Sequence, residues 1–184
     1  MSEKSTIEMQ REVQLEMNVP YIWEHVYVLY IGANVDRFHF KNNLRDHDCQ
    51  VDILEIDEDR CRDLEKLDWI NKVIHGDVAD IDHFIEPDQP YDLILWSHGP
   101  EILEREDLIF STIEKLINLT YETLVLLCPW GRYDYTLDEK KHLRSSDINK
   151  IALYPDDFLE HGFSVSVLGK KDVRGSNLLA WRCV

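Results

Sequence analysis

Seven stretches of strand length punctuate the chain, each ending in Gly, Asp, a polar turn or the chain end. HVYVLYIG (25–32), QVDILEID (50–57), KVIHGD (72–77), YDLILWSHG (91–99) and ETLVLLCPWG (122–131) are apolar on both faces, which fits interior strands of a parallel sheet rather than half-exposed antiparallel ones. Between them the spacing predicts helices at 57–67 and 102–119 and a short one near 78–85; in the longest, Ile102, Leu103, Ile109, Phe110, Ile113, Leu116 and Ile117 make one apolar face. PDDFLEHG (155–162) has a Pro start and a Gly stop, and it leads into FSVSVLG (163–169) and NLLAWRCV (177–184). A parallel crossover needs about a dozen residues, so the short connection between those last two strands predicts an antiparallel hairpin. The fold class expected is α/β, a Rossmann-like, seven-stranded, mostly parallel sheet with an antiparallel C-terminal strand and helices on both faces.

No repeat or Pro/Gly/Ser-rich linker divides the sequence, so 1–184 reads as a single domain. Residues 1–22 are expected to form an N-terminal extension, helical over 3–17, and 129–154 a lid or insertion. The formal net charge of −16, from 20 Lys plus Arg against 36 Asp plus Glu, argues against a phosphate-backbone partner. No apolar run approaches the roughly 18 residues of a membrane span and the first residues lack a secretory h-region, so a cytoplasmic location is expected. Cys49, Cys61, Cys128 and Cys183 are widely separated, with no C-x-x-C and no paired histidines, so composition offers no metal site.

In an open α/β sheet, ligands bind beyond the carboxyl ends of the strands where strand order reverses. The first strand ends Gly32-Ala33-Asn34, small residues that let backbone N–H groups approach a ligand or that simply relieve a strand-to-helix turn. The second ends Glu55-Ile56-Asp57, just over 20 residues after Gly32, the spacing of a ribose-binding carboxylate; Glu55 is the better candidate, since Asp57 also suits a helix cap. Asp77, ending the third strand, can accept from an exocyclic amine such as adenine's or cap the following helix. The fourth strand ends Trp96-Ser97-His98-Gly99-Pro100-Glu101. There Trp96 can pack on an adenine or in the core, and His98 can deprotonate an acceptor or merely occupy a turn.

After the fifth strand comes a charged stretch in which Trp130, Arg132, Tyr133, Tyr135 and His142 either face a ligand or belong to a solvated insertion. Cys128 has no His or basic neighbour that would activate a thiolate.

Taken together, from about residue 25 to the end, these strand ends and the order of elements resemble the class I S-adenosylmethionine-dependent methyltransferases. The resemblance implies that Gly32, Ala33 and Asn34 lie against the methionine part of S-adenosylmethionine, Glu55 holds the ribose hydroxyls with Ile56 beside it, and Asp77 meets the adenine amine with Val78 beside it. Ser97 and His98 would fall where the family lines the cofactor and acceptor pocket, with Trp96 beside them as a further cofactor-binding candidate and His98 the one catalytic candidate. The sequence departs from the family at Tyr30, where an acid is usual, and at Asn34 and Asp36, where Gly is common. The implied activity is methyl transfer to a small-molecule substrate, with neither nucleic acid nor a membrane as partner and a homo-oligomer left open. The alternative is a catalytically degenerate nucleoside-binding domain that acts as a regulatory or partner subunit, which Tyr30 would favour. A nicotinamide oxidoreductase is disfavoured because the pyrophosphate-binding G-x-G-x-x-G is absent.

Overall fold

The computed structural model describes residues 15, 22–24, 27–35, 38–86, 88, 90–132, 149–173 and 176–184. Seven strands, β1 (Tyr27–Ile31), β2 (Gln50–Glu55), β3 (Ile70–His75), β4 (Tyr91–Ser97), β5 (Thr120–Pro129), β6 (Ser164–Leu168) and β7 (Asn177–Cys183), form one sheet in the order β3-β2-β1-β4-β5-β7-β6. The first five are parallel, while β7 runs antiparallel to both β5 and β6. The terminal hairpin is as expected, with Ser164 opposite Trp181 and Leu168 opposite Asn177.

The two-residue period of the strands explains why these runs are apolar throughout. One parity sends Leu29, Ile31, Ile94, Trp96, Leu124 and Leu126 into a core on one face, and the other sends Val28, Tyr30, Leu93, Leu95, Val125 and Leu127 into a second core on the opposite face. On the first face Ile109, Ile113 and Leu116 come from the long helix Glu106–Asn118; on the second, Leu44 and Leu64 come from the short helices Lys41–Asp46 and Glu58–Leu64. In chain order these helices are α1 (Lys41–Asp46), α2 (Glu58–Leu64) and α3 (Glu106–Asn118), and Pro155–Leu159 is α4. Asp52, in the middle of β2, is 4% exposed and has its charge satisfied by the Tyr91 hydroxyl at 2.9 Å and the Asn71 amide at 2.7 Å, a clamp across β2, β3 and β4.

Some boundaries differ from those the sequence suggests. The segment 78–85 is a 3-10 turn, Val78–His83, and 102–119 divides into a 3-10 turn at Pro100–Ile102 and α3, because Leu103 adopts extended backbone. Of the expected N-terminal helix only Leu15 lies among the described residues; it is helical and fully buried.

Candidate functional site

β1 is hydrogen-bonded to β2 on one side and β4 on the other, so the chain leaves it in opposite directions; beyond the carboxyl end of such a strand is where open α/β sheets bind their ligands. Gly32 sits at that point with φ of 79°, its N–H donating to the Leu54 carbonyl at 3.0 Å. A Cβ there would stand 2.9 Å from the Ser97 carbonyl, so the bare main chain is required by both backbone angle and space. Ala33 beyond it is fully buried and Asn34 half-buried. Tyr30, where the resembling family carries an acid, is fully buried and packs edge-to-face on Phe38 at 4.4 Å, making that position part of the second core.

Acidic groups follow on the neighbouring strand ends. Gly76 donates to the Glu55 carbonyl at 3.0 Å, which brings the turn carrying Asp77 alongside Glu55, while Gly32 caps the adjacent ladder. Glu55 is 2% exposed; its Oε1 accepts the Asp57 N–H at 2.9 Å and lies 3.8 Å from the Arg60 guanidinium. Burial pushes its carboxyl above the usual glutamate range, against the lowering effect of that N–H and of Arg60. Asp57 caps α2 through the Arg60 N–H at 3.0 Å, which is its structural role. Asp77 caps the following turn through Ala79 at 2.9 Å with one carboxylate oxygen. Between the two acids Ile56 is a large apolar side chain 52% exposed, and Val78 is half-buried.

The end of β4 divides its residues. Trp96 is 1% exposed and belongs to the first core, its indole nitrogen occupying the space that the missing side chain of Gly99 leaves; the ring is packed in the interior and offers no open face to stack on an adenine. Ser97 is buried with its Oγ unpartnered among the described residues. His98 adopts a left-handed φ of 53°, held by its N–H donating to Leu127 at 2.7 Å. Its Nδ1 lies 3.3 Å from Glu101 Oε1, and the His39 ring, from the loop after β1, stands 5.2 Å from its own. His39 carries no motif signal, because only the β1–β4 pairing brings its loop to His98.

Burial and the neighbouring Glu101 and Asp157 raise the Cys128 thiol well above the usual range, which disfavours the thiolate. Trp130 packs against the first core, and the Arg132 N–H donates to Asp172 at 2.7 Å; Tyr133, Tyr135 and His142 lie outside the described residues, as does most of the proposed lid. Among the described residues no group of three His, Cys, Asp or Glu could hold a metal ion, and no helix is long and apolar enough to cross a membrane.

No protein-family model matches the sequence, nor does any curated protein. Solved structures do match over the whole fold. The N-methyltransferase NodS from Bradyrhizobium japonicum WM9 superposes with a TM-score of 0.66 at 15% identity, over 99% of this chain and 98% of that one. A SAM-dependent methyltransferase from Archaeoglobus fulgidus gives 0.59 at 17% identity, over 95% and 94%. The magnesium protoporphyrin IX methyltransferase of Synechocystis PCC 6803, solved with S-adenosylhomocysteine bound, gives 0.62 at 15%, over 96% and 82%. With its 3-2-1-4-5-7-6 sheet and reversed last strand, the chain has the fold of the class I S-adenosylmethionine-dependent methyltransferases.

Proposed function

We propose that the protein binds S-adenosylmethionine beyond the carboxyl end of β1 and transfers its methyl group to a small-molecule acceptor. The observation that carries this reading is the succession of Gly32, Glu55 and Asp77 on three adjacent strand ends. Their chemistry fits an adenosine: Glu55 has carboxylate oxygens for a ribose diol, and Asp77 keeps one oxygen unused among the described residues for the adenine amine. Ile56 and Val78 would flank the adenine ring, and the open main chain at Gly32, Ala33 and Asn34, with the unpartnered Ser97 hydroxyl, would meet the methionine part.

The bound sulfonium supplies an already activated methyl group. The protein's own contribution is then chiefly placement, and holding an acceptor in line at near-attack distance is worth roughly 7 to 11 kcal/mol. His98, at the mouth beside β4, is positioned to receive a proton from the acceptor. The net charge of −16 suits a cationic cofactor and disfavours nucleic acid, and the similar magnesium protoporphyrin IX methyltransferase acts on a small molecule. Four free cysteines suit a reducing compartment such as the cytoplasm.

Isothermal titration with S-adenosylmethionine and S-adenosylhomocysteine, followed by transfer of labelled methyl to a metabolite panel, tests the reading. Saturable binding and turnover are expected. Absence of binding removes the proposal, and binding without turnover on any acceptor points to a regulatory nucleoside-binding domain instead.

A further inference from the structure

We infer that Glu101 is a positioning residue which holds the His98 imidazole with its proton on Nδ1, leaving Nε2 as a base toward the acceptor, and that the acceptor atom is therefore an acidic hydroxyl of the phenol or enol class. The inference rests on the methyl-transfer reading and concerns which acceptor that site takes.

Four observations converge. Glu101 is 2% exposed, and its Oε2 is buried without a partner among the described residues. Such burial of a carboxylate is costly unless the group has a charged or donating partner, and among the described residues His98 Nδ1, 3.3 Å from Oε1, is the hydrogen-bonding partner set against it, the buried Cys128 thiol lying near enough only to feel its charge. The Glu101 main chain is anchored from a second direction, its carbonyl accepting from the Lys150 N–H at 2.8 Å and the Ile151 N–H at 3.1 Å. The imidazole is about a third exposed (37%), its Nε2 makes no hydrogen bond to a described residue, and it stands at the end of β4, next to the switch-point strand β1, with the ring of His39 beside it. Finally, His98 keeps a left-handed backbone, a conformation few side chains adopt, and this aims the ring from the end of β4.

A carboxylate on one imidazole nitrogen fixes the tautomer and stabilises the imidazolium that forms when the other nitrogen takes a proton. An acceptor already carrying a free lone pair needs no such device. One whose proton leaves as the methyl arrives does, and an imidazole is matched to hydroxyls of phenol-like acidity, about 10, rather than to aliphatic alcohols. A thiol, at about 8.5, already supplies some strongly nucleophilic thiolate near neutral pH and has the least need of a base. In the step, the acceptor O–H proton passes to Nε2, the oxygen forms a bond to the methyl carbon, and the carbon–sulfur bond breaks, its electron pair remaining on sulfur. The products are a methyl ether, S-adenosylhomocysteine and a protonated His98, which returns its proton to solvent.

The test has two parts. In protein labelled with 15N-histidine, long-range proton–nitrogen correlation is expected to find His98 with its proton on Nδ1, both free and with S-adenosylhomocysteine, and to find that Nδ1 proton resonance displaced in E101Q. A proton on Nε2, or identical His98 spectra in the two proteins, would overturn the positioning role. Labelled methyl transfer to matched phenols, anilines and thiols is expected on the phenols. It should fall about 100-fold in H98N, whose Asn tolerates the left-handed backbone, and recover in part when imidazole is added to H98G. Transfer to anilines or thiols alone, or none to phenols while S-adenosylmethionine still binds, would overturn the acceptor class. Loss of S-adenosylmethionine binding in the unaltered protein would instead remove the methyl-transfer reading itself.

Discussion

The α-carbon of Gly32 and the carbonyl of Ser97 approach so closely that one added methyl group at Gly32 would lie 2.9 Å from that oxygen. This packs the end of β1 against the end of β4 and leaves main chain, rather than side chain, at the carboxyl end of β1. Replacing Gly32 with Val meets both the contact and the positive φ of 79°, so it is expected to cost about 2 kcal/mol of stability and to abolish nucleoside binding. Urea denaturation and titration calorimetry read the two effects separately, and full retention of binding would move the pocket elsewhere.

Glu55 tests the ribose contact. Glu55→Ala is expected to weaken S-adenosylhomocysteine binding at least tenfold, since a diol loses a charged acceptor. A fold left intact by circular dichroism with unchanged affinity would remove Glu55 from the site.

The same residue predicts a pH dependence. Burial raises the Glu55 carboxyl above its ordinary value of 4.5, so the folded protein keeps this proton to higher pH than the unfolded chain does. Stability from this group is therefore greatest below the unfolded value and declines as pH rises through the window up to the folded value. Ligand affinity should run the other way, rising with pH through the folded value because the ionised carboxylate is the better acceptor. Calorimetric titrations from pH 4.5 upward should show that rise in the native protein and lose it in E55Q.

Asp77 carries two roles that can be separated. Asp77→Ala removes the cap on Ala79 and should cost about 1 kcal/mol, as seen by thermal denaturation. If Asp77 also accepts from the adenine amine, the native protein should prefer S-adenosylhomocysteine to its inosine counterpart, which presents a carbonyl oxygen there. D77A should lose that preference, and equal affinities in the native protein would leave Asp77 a cap alone.

The cysteines differ in environment. Burial pushes the Cys61 thiol to about 11 and raises Cys49 and Cys128, whereas Cys183 is exposed. Mass spectrometry after brief iodoacetamide treatment at neutral pH should find Cys183 alkylated and the other three protected until denaturant is added. Rapid labelling of Cys128 would contradict its burial.

The sheet was legible because its interior strands are buried on both faces: residues as close as Val28 and Leu29 enter different cores, and the run stays apolar. The antiparallel end was legible from the short 169–176 connection, which leaves no room for a crossover. α1 was not, because KNNLRD buries a single residue, Leu44, and six residues are too few to display a period. Asp57 and Asp77 both match the cap pattern and the acid-at-strand-end pattern, and the structure satisfies the cap in each, so sequence could not divide ligand from cap there. The His39–His98 approach depends on tertiary pairing of β1 with β4 and leaves no trace in local spacing.

A crystal structure of the protein soaked with S-adenosylhomocysteine probes the proposed site most directly. The adenosine should lie at the carboxyl edge of β1 to β3, with ribose hydroxyls within hydrogen-bond reach of Glu55 and the adenine amine at Asp77. Density at another surface, or a vacant site at saturating ligand, would contradict it.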